Sequence, residues 1–304
     1  MQKLLESRTI KSAEEGGGIQ VSVNRGIFRK VGAGLFAAAF LAVWLCGSLL
    51  YQPLKKANSC EVEIMAHRGD SFRFPENTMA AFRGAADAGA DYVELDVRQT
   101  LDGVLIIMHD DNLLRTAGVD RELCDVTYNE LRSLKVKKSG GLSSARETIP
   151  TLREVLWVLK DSSLMLNIEL KPCREGGYEK GVVDLILETD MQNRCLIASS
   201  DCGILQRVKS YAPEIRTAYV GCDFKSCILR LQCADAISLK ESCVDATVVQ
   251  LAHSAGKKIY VWTVNTKQML DKAIALGVDG VITNNPMLAI QRTYFAEQQP
   301  AVRE

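Results

Sequence analysis

Residues 64–110 read IMAHRGDSFRFPENTMAAFRGAADAGADYVELDVRQTLDGVLIIMHD, and the rest of the chain takes its meaning from them. Tyr92-Val93-Glu94-Leu95-Asp96-Val97 is a β-branched and apolar run, which predicts a strand. Residues two apart on a strand face the same side, so Glu94 and Asp96 point one way. Two carboxylates aimed together at a largely buried face repel each other and lose hydration, and a bound cation relieves both costs. A second apolar run, Val104 to His109, follows after only Leu101-Asp102-Gly103. A link this short cannot make a parallel crossover, so the two runs are expected to pair as a hairpin. With the turn centred near residues 101–102, Glu94 falls opposite His109 and Asp96 opposite Ile107, which places His109 on the carboxylate face.

His67 ends another apolar strand, Val62 to Ala66, and Arg68-Gly69 follow it. Further on, Leu166-Asn167-Ile168-Glu169-Leu170-Lys171 puts Glu169 and Lys171 on one strand face. Glu169 would complete a three-carboxylate site with Glu94 and Asp96. Oxygen-only ligands indicate one hard divalent cation, Ca2+ or Mg2+, and not zinc. Arg68 and Lys171 suit the oxygens of a phosphate. His67 and His109 are the candidate general acid and base, because imidazole titrates near neutral pH. The third histidine, His253, lies in a helical pattern and has no assigned role.

Bulk properties narrow the function. Formal net charge is zero with acids and bases interspersed, which argues against a nucleic-acid partner. No fixed repeat is visible. The chain has ten cysteines but no CxxC pair. An odd number of them follow Cys46, so at least one cannot pair within the chain; small buried hydrophobes is the preferred reading for most.

The chain divides in order. Residues 1–30 are polar and mixed in charge, a tail expected to be disordered. Val31 to Tyr51 carries no charge, is rich in Ala, Leu, Phe and Val, and is long enough to cross a bilayer as a helix. Trp44 and Tyr51 near its far end suit an interface. Arg25, Arg29 and Lys30 before it, against Lys55 and Lys56 after it, favour a single-pass protein with a cytoplasmic N-terminus and an extracytoplasmic catalytic domain. Residues 52–60 form a linker, 61–292 a barrel domain and 293–304 a C-terminal tail. Within 61–292, strands alternate with helices except over 110–150, a polar excursion after His109. The pattern predicts a (β/α)8 TIM-type barrel, slightly irregular, with a small insertion after the His109-Asp110 strand and an N-terminal transmembrane helix. There are nine strand-like runs, so one of the hairpin runs is additional to a regular barrel. In such barrels function collects at the C-terminal strand ends, where His67, Glu169 and Trp262 lie.

Five segments occur in order: His67-Arg68-Gly69, Pro75-Glu76-Asn77-Thr78, Glu94-Leu95-Asp96-Val97, Asp102-Gly103 and His109-Asp110. Together they resemble the signature of the glycerophosphodiester phosphodiesterase family. The likeness continues through Ile168-Glu169-Leu170-Lys171-Pro172 and Val261-Trp262-Thr263-Val264-Asn265 and covers about residues 62–290. The resemblance implies hydrolysis of a glycerophosphodiester to glycerol 3-phosphate and an alcohol. It also implies an insertion that shapes the pocket and a place for Glu76 beside the site. Trp262 is a candidate substrate-binding residue against the glycerol moiety, with packing in the core as the alternative. The sequence departs from the pattern at Ala117 and at Ser199-Ser200-Asp201, which puts substrate choice more in question than catalysis. Two alternatives stand beside the main reading. One is a lysophospholipase D-like activity on membrane lysolipids; the other is a catalytically silent barrel that binds phosphodiesters.

Overall fold

The computed structural model describes residues 62–137, 147–173 and 176–297. The expected tail, transmembrane helix and linker, 1–60, lie outside the described residues. Among the described residues no helix is long and apolar enough to cross a membrane.

Eight parallel strands close a barrel: β1 (Glu63–Ala66), β2 (Tyr92–Gln99), β4 (Met165–Leu170), β5 (Cys195–Ser199), β6 (Arg216–Gly221), β7 (Ala236–Lys240), β8 (Lys258–Trp262) and β9 (Gly280–Thr283). β9 pairs back onto β1, and β1 onto β2, so no barrel edge is left open. The ninth run, β3 (Leu105–Ile107), pairs antiparallel with the last residues of β2, which project past the barrel rim. This is the additional hairpin strand.

The hairpin register differs from expectation by one residue. Val97, and not Asp96, lies opposite Ile107. The cause is the turn. Gly103 has φ of 80°, and Thr100 N–H donates to the Val104 carbonyl, so three residues and not two make the reversal. The parity argument for His109 therefore fails. His109 reaches the site because the chain leaves β3 after Ile107 and turns over the rim. Its carbonyl accepts from Arg98 Nε at 2.8 Å.

Local chemistry explains the helix boundaries. In α1 (Met79–Ala88) the N-cap is Thr78, whose hydroxyl accepts from Ala81 N–H, and Gly89 ends it at φ of 84°. Among its described residues, the insertion after His109 holds two single-turn α-helices, α2 (Leu114–Ala117) and α3 (Tyr128–Leu131). It packs its own small core, with Leu113, Leu123, Val126 and Leu131 buried under Ile106 and Met108. The remaining helices cover the barrel: α4 (Leu152–Leu159), α5 (Glu179–Glu188), α6 (Cys202–Tyr211), α7 (Ala246–Ser254), α8 (Lys267–Leu276) and α9 (Pro286–Glu297). α9 runs past residue 292, so the first five residues of the expected C-terminal tail are helical; 298–304 lie outside the described residues.

The lumen is filled unevenly. Met65, Tyr92, Leu196 and Tyr260 are large inward side chains, whereas Ala198, Ala218 and Ala236 leave space along β5, β6 and β7. The cysteine reading needs correction. Eight cysteines are described and all are free thiols, but only Cys195 and Cys233 are buried; Cys124, Cys173, Cys222 and Cys227 are exposed. Most of the eight sit in loops or at helix starts, where no core is available to them.

Candidate active site

Four segments converge at the C-terminal rim. The end of β1 supplies His67 and Arg68, β2 supplies Glu94 and Asp96, the turn after β3 supplies His109, and β4 with its following residue supplies Glu169 and Lys171. Trp262 closes the opposite side from β8. They surround an open cleft whose empty space, open solvent included, is about 580 Å³. Asp96 is 1% exposed and lies beneath this lining, held from below by Asn77.

Backbone conformation aims the first group. Arg68 and Asn77 are non-glycine residues at φ of 56°, a sparsely populated region. The turn points Arg68 N–H at Glu94 Oε2, 2.7 Å away. Gly69 follows at φ of 79°, and a Cβ there would stand 2.6 Å from the Ala81 backbone. That glycine lets the turn lie directly on α1. Asn77 spends its side chain on Asp96, donating Nδ2–H to Asp96 Oδ2 at 2.8 Å.

Charge is dense and nearly balanced. Lys171 Nζ bridges Asp96 Oδ1 at 2.9 Å and Glu169 Oε1 at 2.6 Å. Arg68 pairs with Glu76 at 2.8 Å and approaches Asp96 at 3.5 Å. Burial would raise Asp96, but Lys171, Arg68, His109 and the Asn77 amide together hold its carboxyl well below the usual range. Glu94 goes the other way: burial, then the charges of Asp96 and Glu169, push it well above the carboxylate range. Burial and Asp96 likewise raise Glu169.

Oxygens of Glu94, Asp96 and Glu169 lie within 4.8 Å of one another. Glu94 Oε1 is buried without a partner. An orphaned carboxylate oxygen and a donor set made only of carboxylates fit a hard cation.

Both imidazoles are oriented. His67 Nδ1–H donates to Asn284 Oδ1 at 2.6 Å, which leaves Nε2 facing Glu94. Burial and the neighbouring Arg68 push His67 down to about 4, so it is neutral at pH 7. His109 Nδ1–H donates to Asp110 Oδ1 at 2.9 Å. Arg115, from α2, clamps Asp110 at 2.5 Å and Glu76 at 2.7 Å, and so ties the His109 turn to the Arg68 turn. Asp110 and Glu76 are both held below their ordinary range once these ion pairs outweigh burial.

A model of the glycerophosphoryl diester phosphodiesterase family matches residues 67–288. The chain belongs to that family. A glycerophosphodiester phosphodiesterase of Caldanaerobacter subterraneus subsp. tengcongensis is 34% identical over 228 residues, 73% of this chain and 94% of that one. One from Bacillus altitudinis is 35% identical over 237 residues, 75% of this chain and 97% of that one. Among solved structures, an Oleispira antarctica phosphodiesterase in complex with the product sn-glycerol-3-phosphate superposes with a TM-score of 0.69 at 30% identity, covering 76% of this chain and 96% of that one.

All eight site residues expected from sequence meet in this one place. Sequence reasoning missed Asn284, Asp110 and Asn167. Asn167 carried a usable signal, since it sits two residues before Glu169 on the same strand face. Asn284 carried none, because only barrel closure brings β9 beside β1. His253 pairs with Asp279, away from the site.

Proposed function

We propose that the protein is a metal-dependent phosphodiesterase that hydrolyses glycerophosphodiesters to glycerol 3-phosphate and an alcohol. The observation that carries this is the meeting of two oriented imidazoles, three carboxylates and two cationic side chains around one cavity. Family membership and a relative that binds sn-glycerol-3-phosphate support it.

Glu94, Asp96 and Glu169 would hold one divalent cation, Ca2+ or Mg2+. Bound there, such an ion supplies charge to a phosphoryl oxygen and acidifies an attacking hydroxyl. Arg68 and Lys171 bind the remaining phosphate oxygens. His67, held neutral with Nε2 open to the pocket, takes the proton of the nucleophile, which leaves His109 to give one to the departing alkoxide. Arg115, Asp110 and Asn284 keep both rings aimed. Trp262 borders the substrate opposite the carboxylates.

The test is release of glycerol 3-phosphate from glycerophosphocholine by the protein, after EDTA and then with Ca2+ or Mg2+ restored. His109→Ala lowers turnover by roughly 100-fold or more, and the loss shrinks on a p-nitrophenyl phosphodiester, whose leaving group needs no acid. Equal losses on both substrates would remove His109 from the acid role. From the sequence alone we also propose that residues 31–51 anchor the protein in a membrane. Alkaline extraction of membranes checks this: release of the protein into the soluble fraction refutes it.

A further inference from the structure

The two charged side chains that β4 (Met165–Leu170) brings to the rim are held unequally. Glu169 lies inside the sheet, in register with Asp96 of β2 and Ala198 of β5. Lys171 lies one residue beyond the strand, and Pro172 after it has no N–H with which to extend the ladder. On the β5 side the register stops at Glu169. On the β2 side Lys171 N–H reaches the Val97 carbonyl at 3.3 Å, longer than an ordinary backbone bond. Side-chain hydroxyls take over from there. Ser199, fully buried, donates to the Leu170 carbonyl at 2.7 Å and accepts from Asp201 N–H at 3.2 Å. Tyr178, buried just before α5, donates to the Lys171 carbonyl at 2.6 Å, and its oxygen stands 3.3 Å from the Val97 carbonyl.

Tyr178 does not line the active-site cleft. Its ring packs in the core between barrel and helices, and a phenylalanine ring would fill the same space. What the hydroxyl adds is a fixed peptide at Lys171. We propose that Tyr178 is a positioning residue, which locks the backbone of Lys171 so that the ammonium group stays where the phosphate of the diester is bound. This rests on the phosphodiesterase reading. Lys171 Nζ meets Asp96 Oδ1 at 2.9 Å and Glu169 Oε1 at 2.6 Å. Lysine places its charge on a flexible four-carbon stem, so the head is held only as well as the backbone beneath it. A reacting group misplaced by about 1 Å can cost about 100-fold in rate. Two hydrogen bonds at one carbonyl end and one amide end restrain the peptide on both sides, and the proline that follows keeps Lys171 extended. Burial pushes the Tyr178 phenol up, so the hydroxyl remains a donor.

The experiment removes the hydroxyl alone. Tyr178→Phe is expected to lower kcat/KM for glycerophosphocholine by about 10-fold. Titration calorimetry separates positioning from loosening. Affinity for glycerol 3-phosphate, with cation present, falls by a similar factor. Affinity for Ca2+ or Mg2+ holds or rises, because Lys171 competes with a cation for Asp96 and Glu169. A rim that had only loosened would weaken both. Lys171→Met closes the cycle: in that background Tyr178→Phe changes glycerol 3-phosphate affinity by less than about twofold. If Lys171→Met does not fold, the two affinities of Tyr178→Phe decide by themselves. Rates and product affinity within about twofold of wild type in Tyr178→Phe overturn the proposal. So does a parallel loss of product and cation affinity, or an equal loss with and without Lys171. A wild-type protein that cleaves no diester, while its glycerol 3-phosphate binding depends on Tyr178 and Lys171 in this way, overturns the reaction and supports the positioning role.

Discussion

Glu94→Gln separates the electrostatics of the site from its fold. Carboxylate oxygens of Glu94, Asp96 and Glu169 lie within 4.8 Å of one another. Two unit charges at that spacing repel by about 3 kcal/mol at an effective dielectric constant of about 20. Lys171 and Arg68 offset part of this, but they address Asp96 and Glu169 first, at 2.9 and 2.6 Å for Lys171. Glu94 is left with burial and two negative neighbours, which is why its carboxyl is pushed well above the usual range. In the metal-free protein Glu94 is thus the carboxylate whose neutral form its surroundings favour most, through burial and then the charges of Asp96 and Glu169. Glutamine reproduces that neutral form and still accepts from Arg68 N–H. Metal-free Glu94→Gln is therefore expected to be at least as stable as the wild type at pH 7. With cation the two proteins part. At a concentration of about 100 Kd the wild type gains about 2.7 kcal/mol, a rise in Tm of roughly 5–10 °C for a domain of this size. The variant gains little. Because the proton must leave Glu94 as the cation enters, wild-type affinity strengthens as pH rises toward the raised pKa, by up to about tenfold per unit. Scanning calorimetry with EDTA, then Ca2+ or Mg2+, at several pH values reads all three effects. A Glu94→Gln protein with an undiminished cation-dependent rise would refute the reasoning, as would one that loses several kcal/mol without metal.

Three further outcomes follow from the geometry. His67 is depressed from 6.5 to about 4 in the folded protein, so between these values the unfolded chain binds the extra proton. Stability is full above pH 6.5 and falls by up to about 3 kcal/mol as pH drops toward 4; urea midpoints of the metal-free protein from pH 7 to 5 show this slope, and His67→Gln flattens it. Gly69→Ala places a Cβ 2.6 Å from the Ala81 backbone at a φ of 79°, and is expected to cost about 3 kcal/mol or more; a melting temperature equal to wild type would show that the turn can move off α1. Burial pushes the Cys195 thiol up to about 12, so it reacts with a thiol reagent only after unfolding, whereas exposed Cys124, Cys173, Cys222 and Cys227 react in the native protein. Labelling of native Cys195 by mass spectrometry counts against that burial.

The sequence by itself determined the strand and helix alternation, the extra hairpin strand, and the eight side chains that carry the proposed chemistry. Period is a property of short segments, and it was legible for that reason: Tyr92 to Val97 reads as a strand wherever it pairs. The Glu94 and Asp96 pair needed only the twofold repeat of a strand. The tertiary structure decided what depends on distance across the barrel. The one-residue register at Asp102-Gly103 hangs on the φ of a single glycine, and no hydrophobic pattern records it. His109 enters the site by leaving its strand, which pairing rules do not foresee. Asn284, just past β9, meets His67 at the end of β1 only when β9 closes on β1. Their partnership spans 217 residues of sequence, and no local pattern records a contact that only the closed barrel makes.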